Sequence, residues 1–354
     1  MRRVLGYVLF VLGLTFVFLS PFLRFYTLPR VEKAPTDVDQ TVTSDGAGRY
    51  FSAQKLSGVG PVPMEAIERY KGQPQQSTDT VAVIDYEEHL FDQTTSDNID
   101  YDKEVFAMNR TSGEAENCCG ETPKHSGVEL KFPFGTQKIT YQLWDAGSDG
   151  AYPAKYAGTE TLDGVTVYRF HQETGDVNMG FLNLPGSIIG KGSGSVATQR
   201  MYNASIDAWV EPTTGAIVKG SKHVMQWAEL NGQKVLALAD VTVTYNPPTV
   251  EKLTGDAKTN KDQLQLVGTT LPIVLPIVGI ILAVGGVLLL RRPRGRPVPG
   301  TSSSDTETTE PDETREGSST KAPETADASE GSPSDDDAAP AGVKPGDSAE
   351  PADT

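Results

Sequence analysis

Two uncharged apolar segments, one at the start of the chain and one well before its end, constrain the fold most. Residues 4–23 and residues 271–290 each run for 20 residues without a charged side chain, about the length that an α-helix needs to cross a bilayer. A cleaved signal peptide has a shorter apolar core that ends at a site of small residues, which residues 4–23 lack. The sequence therefore predicts two retained transmembrane helices.

Arginines flank both segments on the sides that face the chain termini. Arg2 and Arg3 precede the first segment, and four arginines follow the second, at positions 291, 292, 294 and 296. Because positively charged loops stay preferentially in the cytoplasm, residues 1–3 and 291–354 are predicted to be cytoplasmic. Residues 24–270 would then lie outside the cytoplasm, in a cell-membrane protein with two passes.

The net charge of −16 is concentrated toward the end of the chain. Residues 297–354 contain 15 acidic and 3 basic residues and almost no apolar side chains. Such a segment buries too little apolar area to offset its chain entropy, so residues 291–354 are predicted to be a disordered tail. The acidic balance of the remainder argues against nucleic acid as a partner, because duplex binding requires a basic face.

Short runs of alternating apolar and polar side chains fill most of the region between the apolar segments. This alternation is typical of half-buried antiparallel strands, and clusters of Gly, Pro, Asn and Asp separate the runs. The predicted fold is mainly β, with an antiparallel β-rich domain over residues 24–248. The runs are 80–86, 103–108, 138–144, 165–170, 205–210, 223–229 and 235–245.

Two similar turn sequences follow strand-like runs. Residues 108–113 end in Thr-Ser-Gly and residues 210–215 end in Thr-Thr-Gly, and the glycine of each suits a turn position that needs positive φ. Two interpretations remain open: a duplicated β unit, or the chance recurrence of a common turn.

Residues 249–270 show helical periodicity. Apolar and small side chains recur there at spacings of three and four, which predicts a stripe along one face of a helix. This helical stalk would lead into the second apolar segment and would either pair with another copy or pack on the β domain. The stripe consists of Val250, Leu253, Ala257, Asn260, Leu264 and Val267.

The two cysteines, Cys118 and Cys119, are adjacent. Cysteines outside the cytoplasm are usually oxidised, although neighbouring residues hold their Cα atoms closer together than a relaxed disulfide prefers. A vicinal disulfide is the favoured state. Two free thiols and bridges to another chain remain the alternatives.

No catalytic or metal-binding motif is recognisable. The four histidines are scattered without metal-ligand spacing, and two cysteines cannot complete a zinc cluster. Neither a G-x-S-x-G sequence nor a glycine-rich phosphate loop occurs. The sequence therefore predicts a protein that is not an enzyme, with no cofactor and no metal.

Several strings in the β-rich region are specific when taken together. With them the chain resembles, over roughly residues 1–290, an actinobacterial membrane-protein family of unknown function, some of whose members carry the label porin PorA family. The resemblance implies a Gram-positive cell envelope and, in mycolate-bearing relatives, the handling of lipid exported by a large transporter. The strings are RTSGEA at 110–115, CCGE at 118–121, KFPF at 131–134, YQLWD at 141–145 and WVEPTTG at 209–215.

Five aromatic residues are candidates for a ligand-binding wall. They would line an apolar cavity large enough for an acyl chain, with Phe134 or Trp144 on its wall, or they would simply pack the core. Pro133 and Gly135 suit a bend at the mouth of such a cavity. The candidates are Phe132, Phe134, Tyr141, Trp144 and Trp209.

The function predicted from these features is that of a non-enzymatic envelope protein. Its β domain would bind membrane lipid or glycolipid, or dock on an envelope lipid transporter. The alternatives are a scaffold or sensor of the envelope, a porin-like protein and an envelope enzyme. A porin barrel needs strands of about 9–11 residues with an apolar outer face, and the predicted runs are shorter. The oligomeric state does not follow from the sequence.

Overall fold

The computed structural model describes residues 1–291. Helical stretches stand at both ends of this part of the chain, and the predicted segments 4–23 and 271–290 fall within them. The helices are α1 (Arg2–Phe22), α2 (Leu28–Val31), α3 (Pro247–Gln265) and α4 (Leu271–Leu290), with one π-helical turn joining α1 to α2 and another joining α3 to α4. The predicted tail lies outside the described residues, apart from Arg291.

Both helical stretches, Arg2–Val31 and Pro247–Leu290, contain a segment long and apolar enough to cross a membrane. Helices α1 and α4 pack side by side. At one end of their contact the Ser20 hydroxyl donates to the Pro272 carbonyl oxygen over 2.6 Å. Gly268, in the turn before α4, is covered by the side chain of Leu28. The two apolar segments therefore form a helix pair rather than two separate helices.

Eleven antiparallel strands lie between the helical stretches and form one sheet. The predicted mainly β, antiparallel fold is confirmed. The strands are β1 (Asp39–Ser52), β2 (Ser57–Gly72), β3 (Val81–Asp92), β4 (Asp97–Asn109), β5 (Tyr141–Asp145), β6 (Gly150–Leu162), β7 (Val165–Glu173), β8 (Val177–Pro185), β9 (Ser195–Glu211), β10 (Ala216–Leu230) and β11 (Gln233–Tyr245).

The order across the sheet is β4-β3-β2-β1-β11-β10-β9-β7-β6-β5, with β8 beside the first half of β9. All seven predicted runs overlap strands, but most strands are longer than the runs. β2 has 16 residues and β9 has 17, so the expectation of short strands was wrong.

The sheet curls until its two edges approach one another. Residues 110–140, here named the closing segment, bridge edge strand β4 to edge strand β5. Val105 of β4 and Thr122 exchange main-chain hydrogen bonds of 3.1 and 2.8 Å, and the Trp144 amide of β5 donates to the Val128 carbonyl over 2.8 Å. The closing segment thus surrounds the interior of the sheet on its open side.

The two predicted turns have the expected glycine geometry, since Gly113 and Gly215 both have φ of 75°. A Cβ atom on Gly113 would overlap the carbonyl oxygen of Lys131, and one on Gly215 would overlap that of Phe132. The turns therefore hold consecutive residues of the closing segment between them. Only the second turn closes a hairpin, between β9 and β10, whereas the first leads from β4 into the closing segment.

Helix α3 packs along β10 and β1. Asn246 caps it by accepting a hydrogen bond from the Thr249 amide over 3.0 Å, and the Thr249 hydroxyl donates to the Thr43 carbonyl of β1. Leu253 and Ala257 of the predicted stripe are buried in the core of the sheet domain. These two residues of the stripe therefore pack α3 against the sheet, whereas Asn260 of the stripe is exposed.

Candidate functional site

Three of the five candidate aromatic residues lie in the core and border none of the cavities found among residues 1–291. Phe132 is fully buried and stacks on Phe170 at 4.7 Å between ring centroids. Tyr141 meets the Phe132 ring edge-on at 5.2 Å. The Trp209 indole donates to the Glu160 carboxylate over 2.8 Å. These contacts pack the sheet, and ligand binding by these three residues stays a prediction.

Phe134 borders a cavity at the junction between the apolar helices and the sheet. This cavity of about 300 Å³ is also lined by Val31 of α2, Leu264 of α3 and Val267 in the following turn. Pro133 starts the bend that carries Phe134 out of the core. In this bend the Thr136 hydroxyl donates a hydrogen bond to the Pro133 carbonyl oxygen over 2.7 Å. The bend predicted around this residue is present.

A second cavity of about 420 Å³ adjoins the first between α3 and the sheet. Leu130, Leu253 and Ala257 contribute apolar walls to it. Both cavities share Pro35, Thr214 and Asn260 as lining residues. Together they form what is named here the helix–sheet groove.

Three lysines line the groove. Lys33 pairs with Asp79 and Lys252 with Asp256, so that Lys131 is the lysine of the three without an ion pair among residues 1–291. The Lys131 ammonium group donates to the Thr111 carbonyl over 3.2 Å and lies 4.0 Å from the centre of the Phe134 ring. Burial lowers the pKa of Lys131 to about 7. The groove thus combines apolar walls with an amine that an anionic group would hold in its charged form.

Trp144 borders a different cavity, inside the curled sheet, whose wall combines apolar and charged side chains. The cavity of about 110 Å³ is lined by Glu68, Glu88, Asp145 and Lys222 as well as by tyrosines. A neighbouring cavity of about 260 Å³ shares Glu88 and Lys222 with it and adds Asp102. Trp144 therefore borders a cavity whose wall carries charged as well as apolar groups, and its role in ligand binding stays a prediction.

Lys222 and Asp145 form a buried ion pair across this interior, with 2.9 Å between Nζ and Oδ1. Tyr202 and Ser148 also donate hydrogen bonds to the Asp145 carboxylate, over 3.0 and 2.7 Å. Burial alone would raise the pKa of Asp145, but the Lys222 charge and these hydrogen bonds bring that pKa below its ordinary value.

The pKa values of two other interior carboxylates, Glu68 and Asp102, shift in the opposite direction. Burial, followed by the charge of Glu88, raises the pKa of Glu68 to about 7. Burial, followed by the charge of Glu104, raises the pKa of Asp102 to about 6. The interior thus gathers more acidic groups than its cationic side chain can neutralise.

The outer face of the sheet is mostly polar. Among residues 1–291, large apolar side chains that are exposed lie chiefly on α1, α2 and α4, and only four belong to the sheet domain: Leu56, Tyr101, Ile139 and Phe181. These four are far apart in sequence and belong to different strands or loops. The described surface therefore places the apolar contact area on the helices.

The fold brings together a group of side chains that sequence motifs did not reveal. Glu104 of β4 meets His125 and Glu129 of the closing segment, and these three could hold a metal ion. The sequence signal that exists is the spacing of Glu121, His125 and Glu129 at intervals of four, with the acids on either side of the histidine.

Cys118 and Cys119 lie in the same closing segment, and their sulfur atoms are bonded to one another. Cys119 and Gly120 both have positive φ, of 63° and 82°. The tight turn that these residues form is exposed and stands apart from both groups of cavities.

Comparisons with known proteins agree with this architecture. Residues 5–288 match the model of the family described as Porin PorA. A protein of Corynebacterium resistens named Porin PorA is 22% identical over 83% of this chain and 98% of its own length. One of the same name from Corynebacterium amycolatum is 20% identical over 81% of this chain and 98% of its own. Because the family match extends from α1 to α4, the chain belongs to the Porin PorA family.

Proposed function

We propose that this protein is a non-enzymatic cell-envelope protein whose helix–sheet groove takes the acyl chain of an envelope lipid or glycolipid. The observation that carries the proposal is continuity: Val31 and Val267, which line the groove, belong to the same helical stretches as the apolar segments. A lipid in the bilayer around α1 and α4 would reach the groove without crossing water.

The size and chemistry of the groove suit an amphiphile. Its two cavities, of about 300 and 420 Å³, fall in the range of about 300–1,000 Å³ that small-molecule sites occupy. An acyl chain gains little by moving from a bilayer into an apolar groove, because both surroundings are apolar. Selectivity would therefore come from the head group, and Lys131 on the groove wall favours an anionic one.

Native mass spectrometry of the full chain, purified from membranes in detergent, tests this proposal. The wild type should retain one lipid per chain. The variant Asn260→Trp would fill the part that both cavities share and should lose that lipid. The matched variant Gln265→Trp, on the same helix but away from both cavities, should keep it.

Lipid held only by the surfaces of α1 and α4 would be retained equally by both tryptophan variants, and that result would contradict a groove site. A wild-type chain without any retained lipid would also contradict a groove site and would leave docking on a lipid-transport partner, or the porin-like role below, as the function.

The proposed topology has two membrane passes, with both termini in the cytoplasm and residues 24–270 outside. It rests on the flanking arginines and on the apolar helices. In a chain whose native cysteines are replaced by serine, Thr41→Cys should react with an impermeant maleimide in intact cells. Ser303→Cys should react only after the cells are opened. Labelling of Ser303→Cys in intact cells would place the tail outside the cytoplasm and would contradict the proposed topology.

A porin-like role is the second candidate, favoured by the name of the two relatives and by the charged interior of the sheet. The cavities that share Glu88 and Lys222 would then belong to a polar passage. Strands of 16 and 17 residues are long enough to cross a bilayer, but the sheet carries few exposed apolar side chains. Single-channel steps in a planar bilayer, altered by Lys222→Met, would favour this candidate over lipid binding.

A further inference from the structure

His125 is fixed in the closing segment with one ring nitrogen committed to that segment. Its Nδ1 atom lies 2.9 Å from the Pro123 carbonyl oxygen and 3.2 Å from a Glu121 carboxylate oxygen. The Glu121 carboxylate also accepts the His125 main-chain amide over 2.9 Å. With Nδ1 donating to these oxygens, Nε2 is the ring nitrogen left to take either a proton or a metal ion.

The Nε2 atom faces two carboxylates from different parts of the fold. It lies 2.8 Å from Glu104 Oε2 and 3.4 Å from Glu129 Oε2. The three ligand atoms all lie within 4.8 Å of one another. Ligands of a single Zn²⁺ ion stand about 3–4 Å apart, because each bond is about 2.0–2.2 Å long. Small side-chain movements would therefore place all three around one ion.

Carboxylate oxygens in this cluster lack partners. Glu104 is 1% exposed, and its Oε1 atom has no hydrogen-bond partner among residues 1–291. The same holds for Glu121 Oε2 and Glu129 Oε2. Buried polar atoms without partners are costly, and a cation bound between Glu104 and Glu129 would give their carboxylates a partner.

The surroundings of the cluster are those of a metal site. The Trp144 indole donates to Glu104 Oε2 over 3.2 Å, and the contacts of Nδ1 orient the His125 ring, as outer-shell partners do for metal-binding histidines. Glu129 also borders the inner cavity of about 110 Å³, through which an ion could enter.

We propose that Glu104, His125 and Glu129 bind one divalent transition-metal ion that fastens the closing segment to β4. One imidazole and two carboxylates suit Zn²⁺ and neighbouring first-row ions better than Ca²⁺ or Mg²⁺, which prefer oxygen ligands alone. The ion joins the open side of the sheet to its edge strand, so its role is structural. This site is separate from the helix–sheet groove and does not depend on lipid binding.

The test uses the full chain in detergent micelles, stripped with a chelator and then returned to chelator-free buffer. Added Zn²⁺ should bind at one ion per chain and raise the Tm. Chelation should speed tryptic cleavage after Lys124, which is exposed in the closing segment next to His125. The variants His125→Gln and Glu129→Gln keep side-chain size and polarity and should lose the bound ion and the rise in Tm.

His171→Gln is the matched control. On the sheet surface, His171 also lies between two carboxylates, at 3.2 Å from Asp207 and 3.5 Å from Glu173, but it is 40% exposed at its side chain. This variant should bind Zn²⁺ as the wild type does. Equal loss in the control and in the cluster variants would show binding to surface histidines and would overturn the proposal.

If neither cluster variant folds, metal binding by the wild-type chain alone tests the proposal. Co²⁺ added to the stripped chain should give visible absorption bands that saturate at one ion per chain and disappear when Zn²⁺ is added. A wild-type chain that binds neither ion stoichiometrically, and whose Tm does not respond, overturns the proposal and leaves a buried hydrogen-bonded cluster.

Discussion

Gly13 of α1 and Gly279 of α4 are in direct backbone contact, so that a Cβ atom on either residue would overlap the carbonyl oxygen of the other. Seven residues away on each helix, Gly6 and Gly286 repeat the contact. Gly285 faces open space instead. Small residues allow the close approach that van der Waals packing between apolar helices requires.

Replacing Gly279 with valine should separate α1 from α4. The added side chain has no room, and overpacking of this kind costs about 1–3 kcal/mol. A lower Tm by several degrees in detergent is the expected result, and Gly13→Val should behave alike. Gly285→Val, on the open side of the same helix, should leave the Tm almost unchanged. Equal effects at positions 279 and 285 would show that the glycine contact does not hold the helices together.

Cys118 and Cys119 are predicted to form a bond within one chain. After free thiols are blocked under denaturing conditions, the intact mass should show no added label unless the protein has first been reduced. Reduction should then add two labels per chain. A dimer that disappears from a gel on reduction would instead show bridges between chains, and labelling without reduction would show free thiols.

Stability should decrease as pH rises toward neutrality because of Glu68. The pKa of Glu68 is about 7 in the folded protein against 4.5 as its ordinary value. Between these values the folded protein holds a proton that the unfolded chain has released, so the free energy of unfolding falls as pH rises from about 4.5 to 7. Thermal melts across this range should show a falling Tm.

The variant Glu68→Gln should weaken this pH dependence and raise the Tm above pH 7. Its amide oxygen can still accept the hydrogen bond that Tyr70 donates to Glu68 over 3.0 Å. Glu65→Gln, on the opposite face of β2, serves as the control and should keep the wild-type profile. A Glu68→Gln profile parallel to that of the wild type would mean that another group is responsible.

Removing one partner of the Lys222–Asp145 pair should lower the stability of the fold more than removing both partners. Lys222→Met leaves a buried carboxylate without its cation, a change that costs about 3–5 kcal/mol in other proteins. The double variant Lys222→Met/Asp145→Asn should melt at a higher temperature than Lys222→Met alone. Lys252→Met, in an exposed pair with Asp256, should have little effect. Additive losses in the double variant would show that the two side chains act independently.

The sequence predicted strands well where alternation was strong, as in β7 and β11, and missed β1, β2, β6 and β8. In β1, Gly46 and Gly48 argue against a strand, yet both pack against the backbone of β11, where a Cβ atom would overlap it. In β2, Pro63 stands opposite Ala47 of β1, but its carbonyl oxygen accepts the Gln93 amide on the β3 side. Because pairing with β3 ends at Met64, the proline nitrogen faces a side where no strand needs its donor. Both explanations depend on neighbours that only the folded sheet reveals.

The candidate sites were predicted only in part, for a related reason. Phe132 and Phe134 stand two residues apart in an aromatic string, and nothing local distinguishes the core residue from the one that borders the groove. Glu104 and His125 come from different elements, and their 2.8 Å contact arises only when the closing segment folds back on β4. The spacing of acidic residues around His125 is visible in the sequence, but it does not predict a metal site unless Glu104 is known to lie beside it.

The pairing of β1 with β11, which sets Ser44 opposite Tyr245, has a consequence for biosynthesis. A ribosome delivers β1 among the first strands and β11 as the last, so during most of translation β1 has β2 as its sole neighbour and an open edge on its other side. Open strand edges pair readily with other chains. The free edge of β1 is therefore expected to remain open to pairing with other chains until β11 has been made, and a chain truncated before β11 should aggregate more readily than the complete sheet domain.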